Sequence, residues 1–246
     1  MRLLLPKTTI HIWLVFPDQI NDEALLARYV DILNADEKKR WQRFHFAKHR
    51  HQFLIARALV RSTLSCYADI RPADWRFIFN QYGKPEIAPT LWSQPLRFNL
   101  AHTDGLIVCA VVWEHALGVD VENVQKKHET LKIAEHVFSK QEVADLVSLP
   151  EADQTERFYH YWTLKEAYIK AKGMGLALPL DQFGFRFIEN HGVEIGFDPC
   201  LDDNPSHWQF WQFKPSLHHI VALALQAESS ASYHVDMKTV IPLQTV

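Results

Sequence analysis

Residues 162–173 have the sequence Trp162-Thr-Leu-Lys-Glu-Ala-Tyr-Ile-Lys-Ala-Lys-Gly173, and this stretch is the most informative one in the chain. Its Ala, Leu, Lys and Glu residues favour a helix, and Gly173 stands where a left-handed C-terminal cap is expected. At about 3.6 residues per turn, Trp162, Glu166 and Lys170 share one side of that helix. Locally, Glu166 and Lys170 fit either an ordinary exposed ion pair or part of a functional site.

A second stretch, Gly118-Val-Asp-Val-Glu122, alternates apolar and acidic residues with the period of a strand. Asp120 and Glu122 therefore point the same way, and two adjacent carboxylates repel each other unless a cation lies between them. If this face meets the helix that carries Glu166, three oxygen ligands converge, which suits Mg²⁺ better than Zn²⁺. Because Mg²⁺ keeps positions for phosphate oxygens, the implied substrate is a pyrophosphate or a nucleotide.

The composition bounds the class of protein. The chain has 246 residues, of which 48% are hydrophobic, enough for one large or two small domains with a proper core. The net charge of −3 argues against a nucleic-acid binder, and three scattered cysteines form neither a disulfide framework nor a metal knuckle. Residues 1–6 are too short for a secretory signal, and the longest apolar run, 106–113, is too short for a membrane span. We expect a soluble cytoplasmic protein.

The order of predicted elements is similar in the two halves of the chain. The first half is predicted to contain a strand, a helix, a short helix opened by a capping box, a long helix, a strand and a hairpin, at 10–16, 21–33, 34–44, 49–67, 75–79 and 96–113. The second half is predicted to contain a strand, a helix, a capping box, a long helix and a hairpin, at 117–121, 131–137, 139–142, 154–172 and 208–225. This repetition indicates either an internal duplication or a chance similarity of two α+β halves.

Four ordered motifs resemble those of the 4′-phosphopantetheinyl transferases. Gly118–Glu122 is followed by Trp-x-x-Lys-Glu-Ala-x-x-Lys-x-x-Gly-x-Gly-Leu from Trp162. Residues 98–103, Phe-Asn-Leu-Ala-His-Thr, resemble the family's Phe-Asn-x-Ser-His-Ser, and Tyr82-Gly-Lys-Pro85 resembles its Gly-Lys-Pro loop. The length resembles the long, monomeric, surfactin-synthetase-activating type.

The resemblance implies an α+β fold of two similar α/β halves, with helices packed on small, mostly antiparallel sheets. A pseudo-twofold axis relates the halves, and the active site lies between them, which favours duplication. The implied division is 1–115 for the half on the adenine and 3′-phosphate side of coenzyme A, 116–225 for the half with the magnesium ligands, and 226–246 for a C-terminal tail. Basic residues gather in the first half and the three acids lie in the second, a charge layout that suits coenzyme A.

The implied reaction transfers the 4′-phosphopantetheine arm of coenzyme A to a serine of an apo acyl or peptidyl carrier protein. The partners would serve fatty acid, polyketide or nonribosomal peptide synthesis, Mg²⁺ or Mn²⁺ would be the cofactor, and the protein would be a monomer that neither binds nucleic acid nor enters a membrane. Two alternatives remain. The first is another Mg²⁺-dependent enzyme of pyrophosphates or nucleotides, against which stands the lack of a Gly-x-x-x-x-Gly-Lys-Ser/Thr loop. The second is a non-catalytic module that binds carrier proteins.

The resemblance also assigns residues. Asp120, Glu122 and Glu166 match the metal ligands. Glu166 is the first choice as general base, ahead of Glu122 or a metal-bound water, and Lys170 assists catalysis at the pyrophosphate. The implied coenzyme A contacts are Arg40, Arg43, Tyr82, Gly83, Lys84, Pro85, Asn99, His102, Thr103, Lys165 and Lys170.

The chain departs from the family pattern at Ala101, where Ser is usual. Alanine cannot donate a hydrogen bond, so one phosphate contact is either missing or supplied by Thr103 or by backbone N–H groups. This departure is the one feature that favours the non-catalytic alternative.

Overall fold

A computed structural model describes residues 2–126, 129–188 and 192–244. In chain order its strands and α-helices are β1 (Thr9–Val15), α1 (Glu23–Asp31), α2 (Ala35–Gln42), α3 (Ala47–Ser65), β2 (Phe77–Phe79), β3 (Pro85–Ile87), β4 (Leu96–Thr103), β5 (Leu106–Trp113), β6 (Leu117–Asn123), α4 (Thr130–Val137), α5 (Lys140–Ser148), α6 (Glu151–Lys172), β7 (Phe183–Ile188), β8 (Gly192–Phe197), β9 (Trp208–Ser216), β10 (His219–Gln226) and β11 (His234–Thr239). None of the helices in these ranges is both long and apolar enough to span a bilayer.

The described residues form two compact units. The first contains the chain up to Phe79, then Pro85–Glu114, and the residues from Tyr233 onward. The second contains Asn80–Lys84 and the described part of His115–Ser232. The class is mixed α and β with small, mostly antiparallel sheets, as expected from the sequence.

The first unit is built on a four-stranded sheet with the strand order β11-β1-β5-β4. Its neighbours pair antiparallel except β1 and β11, which are parallel. Helices α1 and α3 join the sheet in one hydrophobic core. Buried members of that core include Trp13, Val15, Ile55, Leu59, Cys109 and Val111.

The C-terminal segment differs from the tail predicted for residues 226–246. Residues 234–239 form β11, which extends the sheet beside β1 with Val235 opposite Ile10 and Met237 opposite Ile12. Beyond the strand, the Pro242 carbonyl accepts a hydrogen bond of 2.9 Å from the buried Tyr29 hydroxyl. The prediction failed because the strand is short and its partner in the sheet lies at the other end of the sequence.

The second unit is built on an antiparallel sheet of order β6-β10-β9, with α6 packed across it. Ala222 and Ala224 of β10 share the core with Ala167 and Ala171 of the helix. Small side chains at this contact let helix and sheet approach closely. The β7–β8 hairpin, which the sequence did not predict, completes the unit.

Three local predictions about helix ends are confirmed. Asn34 and Ser139 each begin a helix with a reciprocal capping box, to Glu37 and Glu142 respectively. Gly173 ends α6 in the left-handed conformation, with a φ of 68°. These caps fix where α2 and α5 begin and where α6 ends.

In the first unit a buried cation holds the capping glutamate. The Arg61 side chain, on α3, is fully buried and donates to Glu37 Oε2 at 2.7 and 3.1 Å. It also donates to the carbonyls of Pro72 and Trp75, at 3.0 Å each. We call this the Arg61–Glu37 pair. It ties α3 to the start of α2 and to the segment before β2.

The second unit contains an equivalent arrangement. The Lys165 side chain, on α6, is fully buried, and its Nζ lies 2.9 Å from Glu142 Oε2. Nζ also donates to the carbonyls of Leu180 at 2.8 Å and Phe183 at 2.5 Å. This Lys165–Glu142 pair ties α6 to the start of α5 and to the segment that enters β7.

Candidate functional site

Asp120 and Glu122 lie on the face of β6 that α6 covers. The strand alternates, so both side chains point the same way as Gly118, whose Cα faces the backbone of Ala167 on α6. Lys170 Nζ donates to Asp120 Oδ1 at 2.5 Å. Asp120 and Glu122 therefore share one face, as the alternation predicted, and that face meets the helix of Glu166 and Lys170, which the sequence alone posed only as a condition.

The second oxygen of Asp120 has no such partner. Asp120 is only 6% exposed, and its Oδ2 is buried without a hydrogen bond from any described residue. A buried carboxylate oxygen without a donor is costly and uncommon in native proteins. A cation ligated at this oxygen would satisfy it.

Glu166 completes a cluster of three carboxylates with Asp120 and Glu122, which we call the acidic cluster. Burial raises the pKa of Glu166, and the charges of Asp120 and Glu122 raise it further. Burial likewise raises the pKa of Asp120, against the opposing effect of the Lys170 ammonium. The Glu122 charge also raises the pKa of Asp120, so charges within the cluster act on both Asp120 and Glu166.

The acidic cluster fits a hard divalent cation by its chemistry. All its donors are carboxylate oxygens, the ligands that Mg²⁺ prefers, and one of them is buried and unsatisfied. In their present positions, no three described acidic, histidine or cysteine side chains form a ready metal centre. Lysines instead pair with two of the acids: Lys170 with Asp120, and Lys126 with Glu122 at 2.7 Å.

The Asn80–Lys84 loop is fixed on the ends of β6 and α6. Asn80 Oδ1 accepts from the backbone N–H groups of Tyr82 and Lys84, and its Nδ2 donates to the Gly173 carbonyl at 2.8 Å. Lys84 Nζ donates to the carbonyls of Leu117 at 3.2 Å and Ala171 at 3.0 Å. The Lys84 ammonium is thus engaged by main-chain oxygens, whereas Tyr82 and Gly83 are exposed.

Lys165 differs from the sequence-based expectation of a phosphate contact. Its ammonium is enclosed by the oxygens of Glu142, Leu180 and Phe183, and burial lowers its pKa. The physical reason is helix geometry, since consecutive residues point about 100° apart around the axis. Lys165 therefore faces the core, while Glu166 faces the other two acids of the cluster. Of Lys165 and Lys170, only Lys170 remains a candidate for a phosphate contact.

In the first unit, the predicted stretch lies at the end of β4, where it alternates in exposure. Asn99, Ala101 and Thr103 are buried, and His102 is exposed. The Thr103 carbonyl accepts a hydrogen bond of 2.6 Å from Gln52 on α3. Ala101 is 4% exposed, so a hydroxyl at this position would be almost fully buried.

Two arginines flank one aromatic ring in the same unit. The guanidinium carbons of Arg40 and Arg57 lie 5.5 and 5.2 Å from the centre of the Phe53 ring. Arg40 and Arg43 are exposed on and after α2, as an anion contact requires. Arg57 Nε is buried, and no described residue accepts from it.

Sequence reasoning missed several residues that shape these sites. Lys126 pairs with Glu122 at the i,i+4 spacing, but it lies in an irregular segment after a strand, where that spacing does not indicate a contact. Asn80 holds the Gly83 loop through contacts to a residue far along the chain. The Arg61–Glu37 and Lys165–Glu142 pairs did leave a signal, because each cation follows its capping glutamate at nearly the same spacing.

The raised pKa of Glu166 predicts a pH-dependent stability difference in metal-free protein. A carboxyl with a raised native pKa stabilises the fold below its ordinary pKa, and that stabilisation is lost as pH rises through the native value. We therefore expect Glu166→Gln to be more stable than wild type at pH 8 and close to wild type at pH 4.5. Urea unfolding in EDTA at both values tests this. If the difference in free energy of unfolding between Glu166→Gln and wild type does not increase with pH, the prediction is contradicted.

Comparison with known proteins places the chain in a family. A model of the 4′-phosphopantetheinyl transferase superfamily matches residues 116–227, and one for the N-terminal region of 4′-phosphopantetheinyl transferase matches residues 21–114. The chain is 34% identical over 176 residues to the 4′-phosphopantetheinyl transferase HetI of Nostoc sp., covering 72% of this chain and 73% of that protein. It is also 34% identical over 177 residues to Sfp of Bacillus subtilis, covering 70% of this chain and 76% of that protein.

A holo-(acyl-carrier-protein) synthase from Bacillus anthracis, solved in complex with CoA (3′,5′-ADP), aligns with a TM-score of 0.38 at 18% identity, covering 45% of this chain and 93% of that chain. The family matches and the identities to HetI and Sfp confirm the resemblance inferred from the motifs: the chain belongs to the 4′-phosphopantetheinyl transferase superfamily.

Proposed function

We propose that this protein transfers the 4′-phosphopantetheine arm of coenzyme A to a serine hydroxyl of an apo carrier protein, releasing adenosine 3′,5′-bisphosphate. The observation that carries the proposal is the acidic cluster, with the unsatisfied Asp120 Oδ2 beside Lys170. The transferase names of the curated relatives support the same activity. The acceptors are acyl or peptidyl carriers of fatty acid, polyketide or nonribosomal peptide synthesis, and the enzyme acts as a monomer.

Asp120, Glu122 and Glu166 are the residues that would hold Mg²⁺, with Mn²⁺ as an adequate substitute. When bound, the ion would offset the negative charge of the pyrophosphate as charge builds on the leaving group. Lys170 would add a positive charge on the same side of α6, within reach of Asp120. Proton transfer and the further stabilisation of charge are assigned to side chains of this protein.

Glu166 is proposed as the base that accepts the proton of the acceptor serine. The serine oxygen forms a bond to the β-phosphorus of coenzyme A, and the bond from that phosphorus to the bridging oxygen breaks. The bridging oxygen leaves with the bond electrons as part of adenosine 3′,5′-bisphosphate, where Lys170 stabilises the charge.

The remaining contacts to coenzyme A are also proposals. In the second unit, the backbone at Tyr82 and Gly83 is assigned to the adenine, because glycine lets the main chain approach a ring. In the first unit, Arg40 and Arg43 are assigned to the 3′-phosphate. The further phosphate contacts in that unit are assigned to Asn99, His102 and Thr103.

Transfer should require a divalent cation. After exhaustive EDTA treatment we expect no detectable holo-carrier from coenzyme A and a panel of apo carriers. Mg²⁺ or Mn²⁺ should restore the product, because every proposed ligand is a hard oxygen. Mass spectrometry of the carriers is the measurement, and Ca²⁺ addition is a control for charge alone. Full activity in EDTA would exclude the metal part of the proposal, and binding of ATP in preference to coenzyme A would favour a different nucleotide enzyme.

A further inference from the structure

Glu166 stands next to one of the most enclosed charged side chains of the protein. Lys165 is 0% exposed, whereas Glu166 on the adjacent position is only partly buried and faces the acidic cluster. The two side chains leave α6 about 100° apart. Whatever fixes the direction of Lys165 around the helix axis therefore also fixes the direction of Glu166.

The contacts of Lys165 fix that direction from two separate segments. Glu142 belongs to the first turn of α5, while the Leu180 and Phe183 carbonyls belong to the segment that enters β7. The ammonium also lies 4.4 Å from the centre of the Phe183 ring. A flexible lysine held by three oxygens and a ring has little freedom to rotate.

Both carboxylate oxygens of Glu142 accept further hydrogen bonds. Its carboxylate accepts from the backbone N–H and the hydroxyl of Ser139, at 2.8 and 2.9 Å, and from the N–H of Phe185 at 2.9 Å. It is 0% exposed. The anchor of Lys165 is therefore a rigid part of the α5 cap and not a mobile surface group.

A second restraint acts on α6 at Ala167, the residue after Glu166. Position 118 is a glycine, and a Cβ there would lie 1.9 Å from the Ala167 carbonyl oxygen, so β6 and α6 are in close backbone contact. The sheet contact sets how close the helix comes to Asp120. The Lys165 contacts set how the helix is rotated at the turn that carries Glu166.

We propose that Lys165 is a positioning residue, which holds the rotation of α6 through Glu142 so that Glu166 faces Asp120 and Glu122 as a ligand of the divalent cation. The inference rests on the divalent site of the proposed function. It gives Lys165 a role without any contact to phosphate, cation or acceptor. Loss of the ammonium should weaken cation binding through the misdirection of Glu166.

The first unit offers a matched control in the Arg61–Glu37 pair. It has the same parts, namely a buried cation on a long helix, a capping glutamate and two or more main-chain carbonyls. None of the three carboxylates of the acidic cluster belongs to that unit. Arg61→Met therefore removes the same kind of interaction and should lower stability without misdirecting Glu166.

The experiment measures Mn²⁺ affinity by electron paramagnetic resonance, together with thermal unfolding, for Lys165→Met, Lys165→Arg and Arg61→Met. Both methionine variants should unfold at lower temperature, because each leaves a buried carboxylate without its cation. Only Lys165→Met should weaken Mn²⁺ binding, by about tenfold or more, the effect typical of residues that orient metal ligands. Lys165→Arg should bind Mn²⁺ more tightly than Lys165→Met.

A second variant guards against failure to fold. If Lys165→Met does not fold, Lys165→Met combined with Glu142→Gln removes the unpaired charge and should still bind Mn²⁺ weakly. Unchanged affinity in folded Lys165→Met or in the folded double variant, or an equal loss in Arg61→Met, overturns the inference alone. A wild-type protein that binds no Mn²⁺ overturns the proposed divalent site and the inference with it.

Discussion

Replacing Asp120 with alanine should lower the rate of phosphopantetheinyl transfer by about a thousandfold or more. A divalent cation contributes several kcal/mol to charge stabilisation, and a loss of roughly 4 kcal/mol corresponds to that factor. Asp120 is the most buried of the three proposed ligands, and its Oδ2 is the oxygen without a described donor. The substitution should also abolish tight Mn²⁺ binding.

The fold of Asp120→Ala should remain intact. Burial disfavours the charged side chain in the native state, so the metal-free variant should unfold at the same temperature as wild type or higher. Asp69→Ala, at a carboxylate that is 92% exposed, is the matched control and should retain full activity. Near-normal turnover by a folded Asp120→Ala protein would remove Asp120 from the site.

Gly118→Ala should strongly destabilise the protein, because position 118 has the closest contacts among the glycines that the structure describes at 83, 118, 173, 175, 184, 192 and 196. The new Cβ would lie 1.9 Å from the Ala167 carbonyl oxygen and 2.4 Å from the Ala171 nitrogen. Both are backbone atoms of a helix, so they cannot swing aside, and α6 must move as a whole. We expect a loss of about 3 kcal/mol or more, at the upper end of overpacking effects.

Gly196→Ala is the control for this prediction. Among the described residues nothing lies within 4 Å of a Cβ at position 196, on β8, so the change should stay within about 0.5 kcal/mol. Urea unfolding of both variants is the measurement. The folded fraction of Gly118→Ala should also transfer slowly, because a displaced α6 carries Glu166 away from Asp120. Equal unfolding midpoints for the two variants would show that the helix–sheet contact tolerates a methyl group.

The features that could be predicted from the sequence depend on interactions between residues that are only a few positions apart. The capping boxes at Asn34 and Ser139 and the glycine at 173 depend on local hydrogen bonds and backbone conformation, and all three are confirmed. The alternation at Gly118–Glu122 predicted that Asp120 and Glu122 share one face. These signals survive because tertiary packing did not need to override them.

The features that escaped prediction depend on distant partners. Lys165 and Glu166 are equally polar neighbours, and only the position of Glu142 decides which of them points into the core. The resemblance assigns Lys84 to coenzyme A binding as part of the Gly-Lys-Pro loop, whereas its ammonium donates to the carbonyls of residues 117 and 171. Residues 234–239 are a strand only because β1 is available to pair with them.

The pairing of β11 with β1 has a consequence for synthesis of the chain. The four-stranded sheet pairs residues 9–14 with residues 234–239, so it cannot be completed until the ribosome has made residue 239. Nearly all of the second unit, by contrast, is one continuous stretch ending at Ser232. The usual order of vectorial folding, from the N-terminus onward, is therefore reversed in part. A chain truncated after Ser232 and released from the ribosome should contain a protease-resistant second unit and a first sheet in which β1 is an unpaired edge.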